Sequence, residues 1–275
     1  MSGDHSNPTK ADPKKQTGTS EKRNAFTELL APKSKQPKHA TKTPSDRNAA
    51  KGRTAFGVRD GLGTYIAKPE KYAPDVVVYH NDDFVAIHDM FPKSSLHLLL
   101  LPRDQTKTRM HPFDAFEDAD FLAKVRAETR TLRKLAASEL RRKYGKDSAQ
   151  EQARQTALSA DPPPDELPRG RDWEQEIMVG VHAVPSMNHL HVHVLSVDRY
   201  SERLKHRKHY NSFSTPFFVP IEDFPLAEDD VRRNPTEEGY LKRDFACWRC
   251  GRGFGNRFAE LKQHLEEEFK QWKKL

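Results

Sequence analysis

The chain has 275 residues, of which 35% are hydrophobic and 32% charged, so it is too polar to be packed core throughout. Its formal charge of +7 favours polyanionic partners. The longest apolar run, Leu96 to Leu101, is broken by His97 and is far too short to cross a bilayer; the Met-Ser-Gly-Asp-His-Ser start has no apolar signal core; and Cys247 and Cys250 are too few for a secreted disulfide framework.

Residues 1–58 are rich in Lys, Pro, Ser, Thr and Asn and are read as a disordered basic tail. Within it, Ala25-Phe26-Thr27-Glu28-Leu29-Leu30 has the pattern of a short helix or docking motif. Its basic clusters at Lys14-Lys15, residues 33–38 and Arg53 fit a nuclear-import signal, a nucleic-acid arm or a plain solvated tail. Order begins near Asp60, with a short helix over 61–66 that stops before Lys68-Pro69. A β-branched strand over 76–79, the turn Asn81-Asp82-Asp83, a strand over 84–88, a loop over 89–95 and a strand over 96–101 follow. Apolar spacing then predicts one helix over 113–143, and the Pro-rich stretch 145–172 reads as a loop insertion. Two more strands are expected at 176–182 and 189–197. The pattern is α+β: an antiparallel sheet domain with helices over 59–220 and a small module over 221–275.

His189-Leu190-His191-Val192-His193-Val194-Leu195 is the most specific segment. Strand periodicity sets the three imidazoles on one face and Leu190, Val192 and Val194 on the other. Such a row can supply a nucleophile, a proton donor and an orienting hydrogen bond, or alternatively a metal site. His182 lies nine positions earlier, and the intervening Pro185-Ser186 turn can fold it back beside His191. Downstream, Lys205-His206-Arg207-Lys208-His209-Tyr210-Asn211 has the composition of a phosphate-binding loop.

These residues resemble the histidine-triad superfamily of nucleotide hydrolases and transferases. The segment Gly180 to Val194, the segment Leu204 to Phe213, and Asp89-Met90-Phe91-Pro92-Lys93 before Leu96 to Arg103 are similar to its aprataxin branch. The resemblance spans about residues 60–275, the insertion excepted. It implies removal of 5′-adenylate from abortive DNA ligation intermediates through a covalent AMP–histidine. On that basis His191 is the nucleophile, His182 protonates the departing 5′-phosphate, and His193 binds phosphate in the transition state. His189 orients the site through its backbone. Ser186 contacts phosphate, Lys208 lies near the site, Asp89 receives ribose hydroxyls and Lys93 faces DNA. Ser94-Ser95 stands where the resemblance implies Ala-Arg, which puts the contacts of that loop in question. A neutral imidazole avoids the repulsion an anionic nucleophile meets at a pyrophosphate, and no carboxylate pair for a catalytic metal is visible.

At the C-terminus, Cys247-x-x-Cys250 offers two thiolates from one turn, and His264 and Glu268 share a helix face four residues apart. The four would hold one structural zinc, and this Cys₂-His-Glu set resembles fungal aprataxins. Glu266 or Glu267 fits that face less well, and a redox Cys-x-x-Cys is the alternative. Arg249, Arg252 and Arg257, with Lys205 and Arg207, form an expected DNA-binding surface that reads ends or nicks by shape. The expectation is thus a nuclear, monomeric DNA-repair hydrolase. It would act on 5′-adenylated DNA or RNA–DNA ends, with a protein partner for its tail. Rival readings are a general dinucleotide or nucleoside-phosphoramidate hydrolase, and a non-catalytic nucleic-acid-binding protein.

Overall fold

The computed structural model describes residues 59–275. The basic tail over 1–58, with its helix motif and basic clusters, lies outside the described residues.

Hairpins build the sheet. Strand β1 (Val77–His80) turns into β2 (Phe84–His88) at Asn81, whose Oδ1 accepts from the backbone N–H groups of Asp83 and Phe84. Strand β3 (His97–Pro102) follows. Strands β4 (Ile177–His182) and β5 (Val192–Ser196) form a second hairpin, and β6 (Phe218–Pro220) adds to β4. All pairs are antiparallel, in the order β1-β2-β3-β5-β4-β6.

Alternation sorts the two faces. Leu98, Leu100, Val179, Val181, Val192 and Val194 join one buried cluster with Leu122, Val125, Leu132 and Leu140 of the long helix. The opposite face carries Val85, Ile87, Leu99 and Leu101 against Leu62 and Ile66. Ile66 belongs to the short helix α1 (Gly63–Ala67). His97, His182 and His193 occupy this second face by the same alternation.

The helix expected over 113–143 is two. α2 (Pro112–Ala115) ends, and α3 (Ala119–Tyr144) restarts where the Asp118 side chain accepts from the N–H groups of Asp120 and Phe121. The 145–172 segment is not a plain loop: it holds α4 (Ala149–Leu158), capped by Ser148. No residue of α4 is buried, so its apolar signal is weak. Its flank is nonetheless structural. Arg171 is 6% exposed and lies over the rings of Trp173 and Trp272 at 4.4 and 4.7 Å. It donates to the Trp272 carbonyl and pairs with Glu176, which also accepts from Trp272 Nε1.

The C-terminal module consists of the hairpin β7 (Phe245–Ala246) and β8 (Gly253–Gly255) and the helix α6 (Phe258–Trp272). Trp272 and Tyr240 sit in the same buried cluster as the sheet. Residues 59–275 pack as one compact unit, in which the C-terminal module shares buried residues with the sheet. Among the described residues no helix is long and apolar enough to cross a membrane.

Candidate active site and zinc centre

Register brings the histidines together. His193 stands opposite Leu99 on β3 and Gly180 on β4, and His97 stands opposite Leu195. The ring centroid of His193 is 4.5 Å from that of His182, 4.9 Å from His191 and 5.1 Å from His97. Phe213, from α5 (Arg207–Ser214), packs against His97, His182 and His193 and walls the cluster. The strand starts later than expected: His189 and His191 precede β5, where Leu190 N–H bonds to the Thr108 carbonyl instead of a strand partner.

Hydrogen bonds fix the tautomers. The His189 carbonyl can only accept, so His191 Nδ1, 2.7 Å away, carries the proton and leaves a lone pair on Nε2. The Lys93 backbone N–H donates to His97 Nδ1 at 3.1 Å, so His97 is protonated on Nε2. That N–H points at His193 Nδ1, 3.0 Å away, which places the His193 proton on its own Nε2. Of these three rings, His191 presents a lone pair and His193 presents an N–H donor. His193 Nε2 and His182 Nε2 are buried without a partner among the described residues, as groups awaiting a polar ligand would be.

Burial keeps these rings neutral. It pushes His97 down to about 4 and holds His182 and His193 well below the usual imidazole value. The neighbouring histidines and Lys93 add to the effect at His182 and His193. Burial lowers His191 too, opposed by its bond to the His189 backbone and by the Asp89 charge.

Asp89 lies at the edge of the cluster, with Oδ2 3.4 Å from His97 Nδ1 and Oδ1 accepting from Phe91 N–H. Lys93 is half-buried, donates from Nζ to the Phe91 carbonyl, and its charge reaches His97, His182 and His193. Lys208 is exposed on the first turn of α5, and its charge is felt at His209. Ser186 is exposed on the β4–β5 turn, its carbonyl accepting from Arg59. The His189 ring fills the space over Gly63, where a Cβ would meet its Nε2 at 2.8 Å. The loop at Ser94-Ser95 is anchored without an arginine: Ser95 N–H and Oγ donate to buried Asp198 at 3.0 and 2.5 Å, beside Ser196 Oγ at 2.6 Å.

The finger gathers its four donors as the spacing predicts. One donor atom from each of Cys247, Cys250, His264 and Glu268 lies within 4.8 Å of the others. Cys250 Sγ to His264 Nε2 and His264 Nε2 to Glu268 Oε1 are both 3.2 Å. Tetrahedral zinc bonded at ordinary lengths sets neighbouring ligands about 3.3–3.8 Å apart, so the residues fit a structural zinc. Gly251, at φ 72°, makes the tight turn after Cys250. Phe245, Phe254, Leu261 and Leu265 form the small core beneath, with Tyr210 and Leu204 contributed from the sheet domain.

The expected DNA-binding cations divide. Lys205 is exposed. Arg252 lies over the Phe254 ring at 5.2 Å and Arg257 pairs with Glu260 at 2.9 Å. Arg207 is committed to packing: it donates to the Lys242 and Arg243 carbonyls and to Asn256 Oδ1, and lies 4.6 Å over Phe245. Arg249 pairs with the ligand Glu268. Sequence reasoning missed His97, which it treated as an interruption of an apolar strand. The available signal was that a lone histidine among six buried strand residues must find a polar partner.

A HIT-domain family model matches residues 70–200, and a model of the C2HE / C2H2 / C2HC zinc-binding finger matches residues 214–271. An aprataxin-like protein of Schizosaccharomyces pombe is 37% identical over 217 residues, covering 78% of this chain and 82% of that one. One from Saccharomyces cerevisiae is 38% identical over 217 residues, covering 77% and 95%. The crystal structure of the aprataxin orthologue Hnt3 in complex with DNA superposes with a TM-score of 0.61 at 34% identity, covering 78% of this chain and 96% of that one. With its four clustered histidines and its Cys₂-His-Glu finger, this chain belongs to the aprataxin family of HIT-domain proteins.

Proposed function

We propose that this chain removes AMP from the 5′-phosphate of DNA in two steps, through a phosphoramidate on His191. The chain is a DNA-adenylate hydrolase of the aprataxin family, and the observation that carries the covalent route is the tautomer pattern. His191 Nε2 offers its lone pair to the α-phosphorus while His193 Nε2–H, on the adjoining ring, donates to a non-bridging oxygen where charge builds. The P–O bond to the DNA 5′-phosphate breaks as the N–P bond forms, and the leaving phosphate takes a proton from His182. Burial and cationic neighbours keep His182 neutral in the free protein. The anionic phosphates of the substrate reverse the electrostatic part of that effect and raise its basicity. Water then cleaves the N–P bond and returns a proton to His182, giving AMP and free His191. Asp89, at the rim, suits the ribose hydroxyls, and Ser186 and Lys93 suit the phosphates.

Binding to a DNA end or nick is supported by the excess of positive charge and by the relative solved with DNA. The proposal extends to 5′-AMP as the group removed, RNA–DNA junctions as a second substrate, action as a monomer, a protein partner, and a nuclear site of work. The test is AMP release from an adenylated nicked duplex and from a free dinucleotide. Faster release from the duplex, with the AMP adduct mapping to His191 and no turnover by His191→Ala, is the expected result. Retained turnover in His191→Ala would overturn the covalent assignment, and preference for the dinucleotide would return the chain to a general hydrolase.

A further inference from the structure

Arg249 lies between the two cysteine ligands in sequence and touches two of the four zinc ligands in space. Its backbone N–H donates to Cys247 Sγ at 3.4 Å. Its Nη1 donates to Glu268 Oε2 at 2.7 Å, with both side chains largely shielded, at 29% and 13% exposed. The Glu268 carboxylate is therefore divided: Oε1 faces His264 Nε2 at 3.2 Å and Oε2 faces Arg249.

Charge explains why such a partner is needed. Zinc with two thiolates and two neutral imidazoles carries no net charge. Replacing one imidazole by a carboxylate leaves the site with one negative charge in a half-buried setting, where an unpaired charge is costly. A guanidinium at the outer carboxylate oxygen cancels it and holds the carboxylate to one-oxygen ligation. We propose that Arg249 is the counter-ion of an anionic zinc site, so that its charge serves the finger's own metal rather than a DNA phosphate. The inference rests on Glu268 as a zinc ligand, and it removes Arg249 from the DNA-binding surface that its position in the sequence suggested.

The test is zinc retention by the full chain, followed as the rate of metal transfer to a chromogenic chelator. Outer partners of metal ligands typically contribute about 10–100-fold to affinity, so Arg249→Gln should lose zinc at least ~10-fold faster than the parent. Arg249→Lys keeps the charge and should stay within ~3-fold of the parent. In a Glu268→His background, whose site is neutral, Arg249→Gln should change the rate less than ~2-fold. Should that background hold no zinc, the Gln and Lys variants of the parent decide alone. Equal loss in Lys and Gln variants, an equal effect in both backgrounds, or no effect of Arg249→Gln would each overturn the counter-ion role. Glu268→Ala separates this from the ligand assignment. If Glu268→Ala loses zinc while Arg249→Gln does not, only the counter-ion role fails; if Glu268→Ala keeps its zinc, the ligand assignment fails first.

Discussion

His97 Nε2 lies 3.0 Å from His193 Nδ1, and this contact decides which nitrogen of His193 can face a substrate. Removing it frees His193 to adopt the other tautomer, which presents a lone pair to an anion. His97→Ala should therefore lower kcat for AMP release by up to about 10²–10³-fold, the range seen when a donor to a developing charge is lost, with KM changed far less. Steady-state kinetics on the adenylated duplex would check this. A rise in KM at constant kcat would show that His97 serves only ground-state binding.

His182→Ala should slow release of a DNA phosphate by about 10²–10⁴-fold, the usual contribution of a positioned acid. An adenylate ester with an activated aryl leaving group needs little protonation, so the variant should hydrolyse it at nearly the parental rate. Equal losses on both substrates would take the acid role away from His182.

Acid should destabilise the fold through these same rings. An imidazole whose folded pKa is depressed favours the folded state above its unfolded value near 6.5, and that contribution is lost as pH falls toward the folded value. For His97 the window runs from about 6.5 to about 4 and is worth about 3 kcal/mol; His182, His191 and His193 act in the same direction. Denaturant unfolding at pH 7 and pH 4.5 should show a drop in stability that is smaller in His97→Asn. An unchanged pH dependence in that variant would mean that His97 titrates normally.

Glu268→Ala should lower zinc content and weaken action on nicked DNA, while hydrolysis of a small adenylated substrate persists, because the histidine cluster lies on the sheet. Glu268→His should restore zinc, imidazole being an ordinary ligand at this helical spacing. Glu266, which pairs with Lys270 at 3.3 Å, should be dispensable for metal. Metal analysis beside both activities would check this. Full zinc in Glu268→Ala, or equal loss in Glu266→Ala, would redraw the ligand set.

The histidine row and the finger were legible because each is a local pattern: alternation in one case, a Cys-x-x-Cys turn and an i,i+4 pair in the other. What was not legible depends on partners distant in sequence. The row was expected to be all strand, but Leu190 bonds to Thr108 and His191 folds onto the His189 carbonyl, so pairing starts only at Val192. His97 gains its meaning from His193, 96 residues away. Arg207 reads as a phosphate ligand in its basic run, yet Phe245 and Asn256 claim it from the finger. The helix inside 145–172 buries nothing, so it left no apolar stripe to read.

Arg171, wedged between Trp173 and Trp272 and bonded to the last turn of α6, bears on how the molecule can be dismantled. A truncation before the finger would not release an intact catalytic half. It would strip the Trp272 ring from the sheet's buried cluster, leave Glu176 short of a donor, and strand the Arg171 guanidinium over one indole. Loss of activity in such a deletion would thus report collapse as much as lost DNA contact. The two halves should also unfold together, in a single transition by any spectroscopic probe.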